Sequence, residues 1–257
     1  MNPDHIKTVI TSFIRVQLKE SGASGAVIGL SGGIDSTVAA YITACAIGPE
    51  NVLGILLPMQ NLTPGQDTED AADIADRLGI EYRVIEINGA LQSFSGLIPD
   101  YDPGAAVSNG NLIARTRMCV LYYYANLLNR IVIGTGNRTE LLIGYATKYG
   151  DSGVDLEPLG DLYKTEVFEL ARHLGVPERI IEKPPSARLW AGQTDEGELG
   201  MRYQEIDRIL RMLVDEKLST EEVATRGVPK ASVSRISDLI RSSKHKRHAP
   251  PRAGSKT

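Results

Sequence analysis

Cysteine, tryptophan and long apolar runs are scarce in this chain. Its 257 residues include two cysteines, one tryptophan and three phenylalanines. Neither Cys45 nor Cys119 belongs to a CxxC pair or a Cys/His cluster, and both are expected to be buried as small apolar side chains. No apolar stretch reaches the roughly 20 residues that cross a bilayer, and the charged, amphipathic N-terminus is not a signal peptide. We expect a cytoplasmic protein that does not contact membranes.

An excess of positive charge is also absent. The chain has 28 Lys and Arg against 32 Asp and Glu, a formal net charge of -4. A general nucleic-acid-binding protein would be basic overall, so no nucleic-acid partner is expected. An acidic protein can still bind anions at a locally positive site.

Hydrophobic patterning alternates short strands with helices and then changes to helices alone. The predicted strands are 26–30, 52–57, 82–87 and 131–133, of which the first two are expected to be buried. The predicted helices are 4–20, 36–47, 66–78, 111–128, 163–174, 201–214, 219–225 and 229–243. This order predicts the α/β class, with a doubly wound parallel sheet and C-terminal helices. We predict one domain over 1–257, with an α/β core at about 22–185 and a helical part with a basic tail at about 186–257.

The turn Ser31-Gly-Gly-Ile-Asp-Ser36 follows the first strand and opens a helix. Glycines allow close approach of the backbone to an anion, and the helix start supplies free N–H groups, so this is a phosphate cradle on physical grounds. Asp35 would repel a phosphate unless a cation such as Mg²⁺ lay between them. A tight packing turn is the alternative, and the Walker pattern GxxxxGK[ST] is absent.

A second interpretation of the same turn is a hydrolase. Gly29-Leu-Ser-Gly-Gly33 matches the GxSxG nucleophile elbow. That elbow normally follows several strands, whereas this one follows the first. A triad would need His173 or His245, and the HGGG-type oxyanion motif is missing, so the hydrolase is the weaker hypothesis.

The Ser-Gly-Gly-x-Asp-Ser pattern resembles the signature of the N-type ATP pyrophosphatases. Three later segments and a late His245-Lys246 pair make the chain similar to the ammonia-dependent NAD synthetases among them. These segments are Gly134–Glu140, Lys148–Thr165 and Pro184–Glu196. The resemblance implies an adenine nucleotide alpha hydrolase-like fold and a homodimer. It implies a C–N ligase of NAD biosynthesis, which amidates deamido-NAD with ammonia through an acyl-adenylate and releases AMP and pyrophosphate.

The resemblance also implies a set of site residues. ATP contacts are implied at Gly29, Leu30, Ser31, Gly32, Gly33, Ile34, Asp35, Ser36, Thr135, Lys164 and Ser186. Mg²⁺ is implied at Asp35 and Glu140, and deamido-NAD at Arg115, Lys148, Asp155, His245 and Lys246. Lys164 would stabilise charge on the departing pyrophosphate. Asp151 would position ammonia or remove its proton.

Purely structural roles, without a ligand, also stay open for several of these residues. Lys148 could be a solvated surface charge, Asp155 a turn former, and Glu140 a first-turn acid favoured by the helix dipole. A non-catalytic ATP-binding module would be expected to lack the metal carboxylates. A tRNA-modifying relative would need a basic face or catalytic cysteines. A glutamine-using enzyme would need an extra domain, so free ammonia or a separate donor is expected. The basic segment 241–252 is expected to be mobile until a dinucleotide supplies negative charge.

Overall fold

The computed structural model describes residues 2–190 and 192–253, and within them a four-stranded parallel sheet forms the centre of the molecule. The strands are β1 Gly25–Gly29, β2 Val52–Leu56, β3 Glu81–Val84 and β4 Arg130–Ile133. Their order is β3-β2-β1-β4, and Ile28 of β1 pairs with Gly54 of β2 and Ile133 of β4. The chain therefore reverses its direction of winding at β1. Ligands of such sheets bind at this switch, beyond the carboxyl ends of the strands.

Twelve α-helices flank and extend the sheet in the part of the chain that the structure describes. They are α1 Pro3–Ser21, α2 Ile34–Ile47, α3 Gly65–Leu78, α4 Asn88–Leu97, α5 Ala106–Leu128, α6 Arg138–Ile143, α7 Lys164–His173, α8 Glu178–Ile181, α9 Asp195–Leu199, α10 Tyr203–Leu210, α11 Thr220–Thr225 and α12 Lys230–Ser242. A π-helical turn, Arg211–Asp215, continues α10, and a 3-10 turn, Lys244–Lys246, follows α12. None of these helices is both long and apolar enough to span a bilayer.

Alternating side chains of the sheet point to opposite faces and pack into two apolar layers. Ile28 packs into one layer with α1, α2, α3 and α7, whereas Val27 packs into the other with α5. Because both faces are covered there, β1 and β2 are apolar throughout, as the sequence predicted, whereas the edge strand β3 is mostly exposed and contains Glu81 and Arg83. The C-terminal helices form a third apolar cluster around Tyr203 and Ile206, and α6 joins it through Ile143.

The predicted strands and helices are confirmed, with two kinds of difference. One edge strand is shorter than predicted, and four helices were not predicted. The third strand was predicted to reach residue 87 but ends at Val84. Ile87 still donates to the carbonyl of Pro58, but Pro58 has no N–H to return, so the regular ladder stops. The prediction missed α4, which buries none of its residues, and α6, α8 and α9, which have six residues or fewer. Such helices carry little apolar periodicity.

The predicted burial of the two cysteines is wrong. Cys45 and Cys119 are free thiols and both are exposed. Each lies in an apolar stretch of a helix, at a position that the neighbouring elements leave uncovered. The buried residues of α5, for example, include Ile113 and Thr116 but not Cys119. Local composition therefore gave the wrong result, because the face of the helix decides burial.

Candidate active site

A cleft of about 450 Å³ opens at the carboxyl ends of the strands. Its floor comes from the turns after β1 and β4, which carry the two glycine-rich segments of the sequence. Later segments close its sides, including the loop 183–190 and Lys246. The switch in strand order therefore brings together parts of the chain that are more than 200 residues apart.

The turn after β1 presents an anion-binding surface. Gly33 is the N-cap of α2, and no side chain caps the helix, so its first N–H groups face the cleft unpaired. Ser31 Oγ lies 2.9 Å from Ser36 Oγ and accepts from Gly33 N at 3.3 Å. Gly32 has a φ of +74°, and a Cβ there would lie 2.2 Å from the carbonyl oxygen of Asp67. Glycine is thus required for both conformation and space.

The two predicted metal ligands lie together in the cleft. Lys164 Nζ donates to Asp35 Oδ2 at 2.5 Å and to Glu140 Oε1 at 3.3 Å. Asn137 contacts the other oxygen of each carboxylate. Its amide donates to Asp35 Oδ1 at 2.9 Å, and its backbone N–H donates to Glu140 Oε2 at 3.3 Å. Asp35 therefore shares one polar centre with residues that lie 102 or more positions later in the chain.

Burial and charge both act on this centre. Lys164 is 1% exposed, and its Nζ lies 5.0 Å from the centroid of the Tyr203 ring. Burial alone would lower the pKa of Lys164, but Asp35 and Glu140 hold it above its ordinary value. The pKa of Glu140 is raised, chiefly by burial and further by Asp35, while Lys164 opposes the change. The lysine is thus a fixed positive charge in the cleft.

Lys183, which also lines the cleft, anchors the anion-binding turn. Its Nζ donates to the carbonyl of Gly32 at 3.0 Å, to Asp67 Oδ1 at 2.8 Å and to Asp70 Oδ2 at 2.7 Å. All three N–H groups of the ammonium are therefore used. Arg188 Nε also donates to Asp67, at 3.0 Å, from the same loop. The loop 183–190 is tied to α3 and to the cradle by charge-assisted hydrogen bonds.

The hydrolase hypothesis does not fit this geometry. The partners of the Ser31 hydroxyl are Ser36 and Gly33. Within residues 2–190 and 192–253, no histidine lines the cleft. Ser31 therefore lacks the base that a nucleophilic serine needs.

The sequence pattern of the family described as NAD synthase matches residues 6–250. The chain belongs to the NAD synthase family. The resemblance inferred from the motifs is confirmed.

Relatives of the chain within this family agree in extent and in fold. The NH(3)-dependent NAD(+) synthetase of Methanosarcina acetivorans is 50% identical over 242 residues, 94% of each chain. The structure of NMN synthetase from Francisella tularensis has a TM-score of 0.86 at 38% identity and covers 98% of both chains. The NH3-dependent NAD synthetase of Campylobacter jejuni, in complex with a nitrate ion, has a TM-score of 0.82 at 33% identity, again over 98% of both. The predicted fold class is confirmed by these structures.

Most residues that the family resemblance implied for ATP lie on the cleft wall. Thr135 follows β4, and Ser186 belongs to the loop 183–190, where its hydroxyl donates to the Gln193 carbonyl at 2.7 Å. Asp151 also faces the cleft, where its Oδ1 accepts from Thr147 N at 2.7 Å. Desolvation of the carboxyl raises the pKa of Asp151, and the hydrogen bond from Thr147 N–H partly opposes this rise.

The residues assigned to the dinucleotide through the NAD synthase family separate into two places. Lys246 lines the cleft, and beside it Lys148 Nζ donates to the His245 carbonyl at 2.7 Å. Arg115 donates to the Lys148 carbonyl at 3.2 Å, so these four residues form one group at the cleft mouth. Asp155 lies elsewhere, at the outer edge of the sheet, where it accepts from Val132 N. The structure does not bring Asp155 to the others.

The tail has protein partners that the sequence analysis did not foresee. Lys246 Nζ donates to the carbonyls of Gly144 and Ala146, both at 2.7 Å. Arg247 donates to the carbonyls of Leu141 and Leu142. These are the carbonyls at and beyond the end of α6, where a helix favours positive charge. Lys246 and Arg247 therefore have partners within the protein itself, which the expectation of a segment held by a dinucleotide did not include.

Sequence analysis missed two further residues of this site. Asn137 lies in a segment used for the family resemblance, and Asn137-x-x-Glu140 is a readable capping box, which the structure contains. Lys183 gave no local signal, because its partners lie 113 to 151 positions earlier. Only the fold reveals its role.

Proposed function

We propose that this chain amidates deamido-NAD with ammonia at the expense of ATP, giving NAD, AMP and pyrophosphate. The observation that carries the proposal is the cleft centre of Asp35, Glu140, Asn137 and Lys164, placed directly beside a phosphate cradle. Membership of the NAD synthase family supplies the reaction class.

The chemistry follows from the difficulty of making an amide. A carboxylate oxygen of deamido-NAD attacks the α-phosphorus of ATP, the α–β phosphoanhydride bond breaks, and pyrophosphate leaves. Ammonia then attacks the acyl carbon, a C–N bond forms, and AMP leaves while one proton is released. The unpaired N–H groups at the start of α2 and the ammonium of Lys164 would face the charge that builds on pyrophosphate. Asp151, which lines the same cleft, would accept the released proton.

The residues present fit a magnesium ion. Asp35 and Glu140 offer carboxylate oxygens, the ligand type that Mg²⁺ takes, and together they outweigh the single charge of Lys164. Over residues 2–190 and 192–253, no group of three or more Asp, Glu, His or Cys is placed to hold a metal alone. Phosphate and water oxygens would complete the shell, as is usual for Mg²⁺ at nucleotide sites. Bound there, the ion would neutralise phosphate charge.

Assembly and location belong to the same proposal. Leu97 of α4 is 77% exposed, and Tyr123 and Leu127 of α5 are each 62% exposed. These apolar side chains support the homodimer that the family resemblance implied. The two free thiols support a reducing, cytoplasmic setting. Light scattering of the purified chain measures its mass in solution.

The decisive experiment is product analysis with ATP, Mg²⁺, ammonium and deamido-NAD. We expect equal amounts of NAD, AMP and pyrophosphate. Formation of ADP and phosphate would refute the proposal. A parallel reaction with nicotinic acid mononucleotide is needed because one structural relative is an NMN synthetase. We expect the dinucleotide to be preferred, as the 50% identical relative is an NAD(+) synthetase.

Two conservative variants test the metal ligands. Asp35→Asn and Glu140→Gln each remove one charge from the centre and should each lower the rate at saturating Mg²⁺ on the order of 10²-fold, in the range seen when one stabilising group is lost. A near-normal rate in either variant would contradict a shared ion.

A further inference from the structure

One carboxylate oxygen of Asp195 is buried without a hydrogen-bond partner. The residue begins α9, is 4% exposed, and accepts from the Tyr203 hydroxyl at 2.9 Å through Oδ2. Its Oδ1 has no hydrogen-bond partner, and among the residues that the structure describes it is the only buried side-chain polar atom without one. Buried polar atoms are nearly always paired, so this oxygen calls for a partner in another state of the protein.

The position of Asp195 indicates which partner that is. Asp195 lines the same cleft as Lys164. The Lys164 ammonium lies over the ring of Tyr203, and the hydroxyl of that ring holds Asp195. Lys164 also opposes, more than any other group does, the burial that raises the pKa of Asp195. Lys164 is thus the cation that acts most strongly on the Asp195 carboxylate, while the hydroxyl of Tyr145, which also acts on it, donates its hydrogen bond to Glu198.

The bonding of Lys164 shows why it would need a second partner. Its ammonium has three N–H groups, of which Asp35 and Glu140 take two, and nothing in the described ranges accepts the third. A divalent cation held by Asp35 and Glu140 would compete with the ammonium for the same carboxylates. The ammonium would then have to leave at least one of them, and a buried charge without a partner is costly.

This inference rests on the proposed function, in which Asp35 and Glu140 bind Mg²⁺. We propose that Asp195 is a positioning residue whose Oδ1 receives the Lys164 ammonium when the cation takes Asp35 and Glu140. The lysine keeps a carboxylate partner, stays charged, and can turn its remaining N–H groups to the phosphates. Tyr203 holds Asp195 in place from the other side.

Two other roles for Asp195 make different predictions. If Asp195 only orients Tyr203, removal of the tyrosine hydroxyl should act like removal of the carboxylate. If Asp195 is itself a metal ligand, its loss should weaken the metal whether or not Lys164 is present. The absence, in residues 2–190 and 192–253, of a three-carboxylate group disposed around one ion favours the indirect role.

The test is a double-mutant cycle on metal binding. Mn²⁺ affinity is measured by titration calorimetry in the presence of an ATP analogue with a methylene group between the α and β phosphorus atoms. The proteins are the wild type, Asp195→Asn, Lys164→Met and the double variant, each checked for a wild-type-like thermal transition. Glu196→Gln is the matched control, since it removes the same charge from the next residue, whose carboxylate instead accepts from Tyr203 N.

We expect Asp195→Asn to weaken Mn²⁺ binding at least about tenfold in the wild-type background and less than about twofold in the Lys164→Met background, since coupled residues are non-additive. Tyr203→Phe and Glu196→Gln should each change it less than about threefold. Equal weakening in both backgrounds, no weakening in either, or a Tyr203→Phe effect equal to that of Asp195→Asn would overturn the proposal. Failure of the wild type to form NAD would refute the proposed function instead, so the two failures are distinguishable.

Discussion

Replacement of Asn137 separates the fold from the chemistry. The side chain is fully buried and makes two contacts: its Oδ1 accepts from Glu140 N at 3.1 Å and caps α6, and its Nδ2 donates to Asp35 at 2.9 Å. Asn137→Ala loses both contacts. Serine is a good N-cap and keeps the first, so Asn137→Ser loses only the bond to Asp35.

The magnitudes follow from these two bonds. Loss of an N-cap costs about 1 kcal/mol of unfolding free energy, and a hydrogen bond to a charged group contributes about 1.5–3 kcal/mol. We therefore expect Asn137→Ala to lose about 2.5–4 kcal/mol and Asn137→Ser about 1 kcal/mol less, both measured by urea unfolding. The rate of NAD formation should fall about equally in both, because both leave Asp35 without its Asn137 partner.

A third variant sharpens the comparison. Asn137→Asp keeps the cap and the shape but places a second carboxylate against Asp35, so its rate should be lower than that of Asn137→Ser. If Asn137→Ser were destabilised yet kept the wild-type rate, the bond to Asp35 would serve stability only, and the assignment of Asn137 to the site would be wrong.

Three further predictions concern the anchor, a buried acid and the tail. Lys183→Met leaves the buried carboxylates of Asp67 and Asp70 short of a cation and should cost about 3–5 kcal/mol of unfolding free energy. Arg179 is more exposed, so Arg179→Met should cost clearly less. Equal losses would contradict the role of Lys183 as an anchor. Burial raises the pKa of Glu157 to about 8, so the folded state holds this proton after the unfolded state has released it, and stability should fall as pH rises from about 4.5 to about 8. Glu157→Gln should flatten that part of the curve of unfolding free energy against pH, where each pKa unit corresponds to about 1.4 kcal/mol; an unchanged slope would show that Glu157 titrates normally. Truncation after Ser243 should weaken deamido-NAD binding more than ATP binding and raise unproductive ATP hydrolysis, whereas an inert tail would leave the kinetics and the hydrogen exchange of 244–250 unchanged.

The sequence predicted what depends on local pattern. Strands that are buried on both faces are apolar runs, and the predicted end of α3 is marked by Gly79, which has the left-handed φ of +69° that glycine favours. The turn after β1 was recognisable because its two glycines and two serines lie within six consecutive residues. The family resemblance brought in Lys164, which has no local signal of its own, and Glu140, whose local signal is only that of a helix start.

What the sequence could not predict depends on contacts between distant segments. Lys183 is an ordinary charged residue until the fold sets it against α3 and Gly32. Asp155 matched the family pattern, yet it lies apart from Lys148 and His245, because adjacency in a motif does not fix where a side chain points. The proposed roles of the ATP and dinucleotide residues, and the division of the chain at about residue 185, stay predictions.

The cleft centre also has a consequence for synthesis of the protein. Its charged groups stand at positions 35, 140, 164 and 195, and Lys246 completes the wall. Translation proceeds from the N-terminus, so a growing chain makes the phosphate cradle long before it makes the groups that would act on ATP there. A nascent chain, or one that ends before Lys164, therefore lacks part of the charged centre. The centre is complete only when nearly the whole polypeptide has been made and folded.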